Sequence, residues 1–168
     1  MDRLYYTTKI AFDDAGAVSC LAWPYGNPDR VGDVIEKGAF GTIDLPLPML
    51  ACHDLKSSIG AWHEARDTDE GLHLTGKLLI EEVALAREVH ALIKSGGMKA
   101  VSIGFITKKA KPRKGGGRTI SQAELIECSA VPIGMHPGAR FTTAKSVVQA
   151  IRLAEAINRA AAALTKGN

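Results

Sequence analysis

Cysteine is scarce in this chain. Cys20, Cys52 and Cys128 are far apart, odd in number and without a CxxC pair, so a disulfide framework finds no support. Each lies among apolar neighbours, where a thiol serves as a small buried hydrophobe. Cys52 beside His53 does not read as a thiol nucleophile, because adjacent residues of a strand face opposite sides. Long apolar runs are missing too. No stretch reaches the ~18 to 20 residues that span a bilayer, and Met1-Asp2-Arg3-Leu4-Tyr5-Tyr6 lacks the basic patch and apolar run of a secretory signal. A cytosolic protein without membrane partners is expected. Charge of one sign is also lacking: 21 Lys and Arg against 18 Asp and Glu leave +3, too little to make nucleic acid the main partner.

What is present suits one folded domain. A chain of 168 residues with 46% hydrophobic and 23% charged residues can bury a single core. We expect a domain over 1–145 and a helical tail over 146–168, where Val147, Ile151, Ala154, Ile157, Ala161 and Leu164 recur at helical spacing.

Most of the chain before the tail carries β periodicity. Tyr6, Ile10 and Phe12, then Val18, Cys20, Ala22 and Trp23, flank a turn at Asp13-Asp14-Ala15-Gly16 and read as a hairpin that stops at Trp23-Pro24. Leu45 to Ala51 is a proline-guided strand ending on His53 and Asp54. Two further strands, carrying His63 and His73, flank the turn Asp67-Thr68-Asp69-Glu70-Gly71. Residues 81–94 break the pattern. Acids at their start, Leu85, Val89 and Leu92 on one face and Gly96 as a left-handed cap predict a helix. The six cations and three consecutive glycines of residues 108–118 predict a solvated, mobile loop between two strands.

Those two strands hold the residues of most chemical interest. In Lys99-Ala100-Val101-Ser102-Ile103-Gly104-Phe105 the apolar side chains alternate, so Ser102 and Gly104 share the other face, and glycine leaves room for a second group to approach the hydroxyl. In Leu125-Ile126-Glu127-Cys128-Ser129-Ala130-Val131 a carboxylate stands among apolar neighbours, which calls for a partner. With His53 at a strand end, the chain supplies a base, a nucleophile and an acidic orienter. Serine needs an imidazole to take its proton, and a histidine of reference pKa near ~6.5 can do so at neutral pH. The third group fixes the tautomer. His136, in the loop after the last strand, is a rival for that third role.

The order and spacing of several phrases resemble the prohead proteases of tailed phages, capsid-maturation serine proteases related in fold to the herpesvirus assemblins. The phrases are Gly32-Asp33-Val34-Ile35, Gly38-Ala39-Phe40, Pro48-Met49-Leu50 leading to His53-Asp54, Ile59-Gly60, Gly71-Leu72, Ser102-Ile103-Gly104-Phe105 and Leu125 to Val131. Together they cover roughly two thirds of the chain, from Asp29 to Ala139. The resemblance implies an α+β protein, mostly an antiparallel β-barrel with the helix near 81–94 and a C-terminal helix. It implies His53 as general base, Ser102 as nucleophile and Glu127 as third member, where assemblins use a second histidine. It also implies catalysis without metal or organic cofactor. Substrates would be scaffold protein or the scaffold-like segment of the capsid protein, and self-cleavage is a further expectation. The site of action would be the assembling prohead in the host cytoplasm, or the cytoplasm for a prophage-encoded chain. The assemblin analogy makes a homodimer an expectation for which no interface is legible. Assemblins also use arginines after the third member to stabilise the oxyanion; Arg140 is the nearest candidate here. Because relatives often carry a removable C-terminal region, the short tail leaves open whether the chain is full length or trimmed.

Two other classes stay open. Cys52, His53, His63 and His73, at nearly regular spacing, could serve a metal-dependent hydrolase, although no HExxH motif is present. A non-catalytic assembly factor could keep the barrel and bind scaffold or capsid protein.

Overall fold

The computed structural model describes residues 13–142. The expected first hairpin strand and the expected C-terminal helix lie outside them. The described chain begins with the turn read from the sequence: the Asp13 carboxylate accepts the backbone N–H groups of Ala15 and Ala17. That turn releases strand β1, Ala17–Pro24, whose Val18, Cys20 and Ala22 are fully buried on one face. A two-residue strand β2, Val34–Ile35, follows, then β3, Leu47–Ala51, and the hairpin β4, Ser58–Asp67, and β5, Gly71–Leu78. Helix α1, Ala84–Ser95, leads to β6, Ala100–Pro112, β7, Arg118–Val131, and β8, Arg140–Phe141.

Seven strands close on themselves in the order β7, β3, β4, β5, β1, β8, β6 and back to β7, with β2 attached outside the ring to β7. The pairings are antiparallel except those of β7 with β2 and β3, which are parallel. The fold is therefore α+β and mainly a closed β-barrel, as expected. Closure leaves an interior that side chains must fill. Trp62 is fully buried within the core and donates its indole N–H to the Cys128 carbonyl at 2.9 Å, satisfying its polar edge where water is absent.

Three readings of the sequence need correction. First, α1 begins at Ala84, not at 81. Leu79 still bonds back to the Ile59 carbonyl, and Val83 is extended at the N-cap, so Glu81 and Glu82 precede the helix. Second, its buried face is Ala86, Val89 and His90, while Leu92 is 45% exposed. Ala86 and Val89 pack into the core, and on the same face His90 Nε2 meets the Asp13 carbonyl at 2.9 Å, tying the helix to the first turn. Third, residues 108–118 are mostly strand. The turn is only 113–117, and it is tied down. Arg118 binds Asp33 through backbone and guanidinium, and Arg113 donates to the Gly32 carbonyl. Gly117, at φ +72°, packs against the Gly32 backbone so closely that a Cβ would overlap it. The Arg118 hydrogen bond holds the Asp33 carboxyl below its usual range, against the opposing effect of burial.

Candidate active site

Ser102 lies near the start of β6, opposite Ser129 of β7, and Gly104 lies opposite Glu127. Cross-strand partners share a face of the sheet, so Ser102, Ser129 and Glu127 project to the same side. The space over Gly104 is filled. A Cβ there would collide with the Glu127 carboxylate, its Cδ lying 3.1 Å from the ideal Cβ position. The group that glycine admits beside Ser102 is thus the acid of the other strand.

His53 reaches this face from the turn after β3. Cys52 and His53 both adopt left-handed backbone, with φ of 53° and 61°. Each such conformation costs a residue with a Cβ about 1–2 kcal/mol, so the surroundings must hold it. Three kinds of contact do. Cys52 N–H bonds to the Ala130 carbonyl at 3.0 Å, continuing the parallel pairing of β3 with β7. His53 N–H donates to Ser129 Oγ at 3.1 Å. Beyond them, Asp54 closes the turn by accepting Lys56 N–H and the Ser57 hydroxyl, and these bonds lower its carboxyl from the usual range.

The side chains then converge. His53 Nδ1 lies 2.7 Å from Glu127 Oε1, and the Ser129 hydroxyl donates to Glu127 Oε2 at 2.5 Å. Glu127 is 5% exposed and so has the partners its burial demands, whereas the His53 side chain is 44% exposed. Ser102 is buried at 6% and, among the described residues, is not hydrogen-bonded to His53. It lines a cavity of about 30 Å³ together with Trp23, Asp29, Phe105, Met135 and His136. A separate cavity of about 730 Å³ is a trough between residues 38–44 and the β6–β7 ribbon at Lys108, Lys109 and Gln122 to Leu125. None of the three residues lines it, but its Leu125 end is two positions along β7 from Glu127.

The remaining candidates are placed as follows. His136 is buried away from the carboxylate: its Nε2 meets the Asn27 carbonyl at 3.1 Å, its Nδ1 accepts Gly138 N–H, and its ring packs edge-on against Trp23. It locks the loop after β7 and makes no bond to His53. Arg140 is exposed, opens β8 and donates to the Gly138 carbonyl. Cys20 and Cys128 are buried, and burial, with Cys20 beside it, pushes the Cys128 thiol up. Cys52 is exposed, contrary to expectation, because it belongs to the left-handed turn and not to the strand. His63 is exposed on β4, and His73 is half-buried on β5 opposite Arg66. Among the described residues no three such side chains form a group able to hold a metal ion. No helix among them is long and apolar enough to cross a membrane.

Ser129 is the participant that sequence reasoning missed. Its signal was available: a hydroxyl two positions from a carboxylate on the same face of an apolar strand.

An imidazole bonded to a buried carboxylate, on the face that carries a serine of the neighbouring strand, has the composition of a site for acyl transfer. A capsid polyprotein of Pseudomonas phage PAJU2 is 35% identical over 155 residues, covering 87% of this chain and 23% of that protein. The chain therefore spans less than a quarter of the relative's length. The profile of the caudovirus prohead serine proteases matches residues 6–153, nearly the whole chain, and the protein belongs to that family of phage prohead serine peptidases.

Proposed function

We propose that this protein is a capsid-maturation endopeptidase that cuts peptide bonds through an acyl-enzyme on Ser102. The observation that carries the reading is the 2.7 Å contact between His53 Nδ1 and Glu127 Oε1, on the face that bears Ser102 across the ladder. Glu127 holds the proton on Nδ1 and leaves Nε2 as the base. Nε2 takes the Ser102 hydroxyl proton as Oγ bonds to the scissile carbonyl carbon, and returns it to the departing amine as the C–N bond breaks. Water, deprotonated by the same nitrogen, then attacks the ester carbon; as the bond from that carbon to Oγ breaks, Nε2 returns the proton to Ser102 Oγ and the new carboxyl terminus is freed. Exposure of His53 leaves this side open to a polypeptide. We place an extended segment of it in the trough that ends at Leu125.

The substrates in this reading are scaffold protein or the scaffold-like segment of a capsid protein. The polyprotein relative, whose name joins capsid protein to a sequence like this one, supports that class and supports self-cleavage from a fused precursor. The test is co-expression of the wild type and Ser102→Ala with the capsid and scaffold proteins of the same genome, followed by intact mass spectrometry. Wild-type coexpression is expected to give discrete fragments that Ser102→Ala coexpression does not. Identical fragments from both would remove Ser102 as nucleophile. Uncut proteins bound equally by both would favour an assembly factor.

A further inference from the structure

Ser129 is fully buried, faces Ser102 across the ladder and touches both members of the His53–Glu127 pair: the backbone of His53 and the carboxylate of Glu127. The direction of its bonds follows from what each group can do. A backbone N–H only donates, so Ser129 Oγ accepts from His53 at 3.1 Å. Its own proton then goes to Glu127 Oε2 at 2.5 Å. One carboxylate oxygen is thereby occupied, and the other, Oε1, is left for His53 Nδ1. The same hydroxyl links the left-handed turn after β3 to Glu127, two positions upstream on its own strand.

We infer that Ser129 is a positioning residue: its hydroxyl clamps the His53 turn to Glu127, so that Nδ1 keeps its proton and Nε2 is held as the base. The inference rests on the reading of His53 as general base. A merely space-filling serine would be replaceable by any small side chain. A clamp requires an oxygen that both accepts and donates. Alanine lacks it, and threonine keeps it at the cost of one methyl group.

The experiment uses the full chain in the Ser102→Ala background, which prevents self-cleavage, with 15N-labelled imidazoles. Long-range 1H–15N spectra of the neutral imidazole read which nitrogen carries the proton. With Ser129 present, the Nδ1–H form is expected. Ser129→Ala should shift the population toward Nε2–H, the form that free histidine prefers, and Ser129→Thr should restore Nδ1–H. In the Ser102 protein, with the capsid precursor as substrate, Ser129→Ala should lower kcat by ~10²-fold, as expected for a misplaced base, with KM within about 2-fold. An unchanged tautomer and unchanged kcat in Ser129→Ala would overturn the clamp while leaving the serine mechanism intact. Loss of Nδ1–H in both Ala and Thr variants would also overturn it, since the hydroxyl would then not be the cause. Cleavage by Ser102→Ala would instead overturn the mechanism, and the spectra would still decide the clamp.

Discussion

The β6–β7 hairpin has two ends that solve one structural problem differently. At its tip, the buried Asp33 carboxylate binds Arg118, a permanent cation, and the left-handed positions of the turn are Gly115, Gly116 and Gly117. At its base, the buried Glu127 carboxylate binds His53, which can gain and lose a proton, and the left-handed positions are Cys52 and His53. Glycine makes the tip's conformation nearly free, and a guanidinium makes its ion pair insensitive to neutral pH. The base keeps side chains where glycine would be easier and an imidazole where an arginine would hold more firmly. One end is built to stay closed; the other retains strain and a mobile proton.

Removing the imidazole tests this contrast most severely. His53→Ala should reduce kcat/KM on the order of 10⁶-fold, and Glu127→Gln, which leaves a base but disturbs its tautomer, by about 10⁴-fold. His53→Ala should still fold, because its left-handed turn remains bonded through the backbone, but it should melt below the wild type, because the buried Glu127 carboxylate loses one of its two partners. Cleavage of the capsid precursor, with thermal melting in parallel, reads both. Equal losses in the two variants would mean that Glu127 does more than orient.

Gly104→Ala asks whether the base is as tightly fitted as it looks. The new methyl group would occupy the place of the Glu127 carboxylate. The carboxylate would have to move away from His53, with an expected loss of ~10²-fold in kcat and a stability cost of about 1–3 kcal/mol. A fully active variant would show that the carboxylate can shift without consequence for the base.

These features were unequally legible in the sequence. The alternation around Ser102 and the isolation of Glu127 are local, and each strand and its buried face follow from period 2. Gly104 in this alternation indicates room for another group, but the sequence does not say that the group is Glu127, because that depends on strand register. Cys52 was misread because its exposure comes from a left-handed turn that no glycine or asparagine announces. The buried face of α1 includes His90, whose partner, the Asp13 carbonyl, is 77 residues away. Residues 108–118 hold six cations and no acid, which reads as a solvated loop. The acid of Arg118, Asp33, lies 85 residues before it, a distance at which local pattern carries no information.

The smallest expected effect concerns that tip. Asp33→Asn keeps an acceptor for the Arg118 backbone N–H but removes the charge that the guanidinium faces. Because the Arg118 side chain is 49% exposed, water replaces part of what is lost, and the cost at ~pH 7 should be about 1 kcal/mol. The sign of its pH dependence is fixed. Arg118 lowers the Asp33 carboxyl in the folded protein, so the stabilisation is complete above the unfolded value of ~3.9 and disappears as pH falls through the lower folded value. Urea unfolding of wild type and variant should therefore show a gap at neutral pH that narrows in strong acid, while cleavage at neutral pH stays within about 2-fold. A gap that persists in acid would mean that the contact acts by packing and not by charge. Loss of cleavage would erase the distinction between the two ends, because the latch at the tip would then be coupled through the length of the ribbon to Ser102.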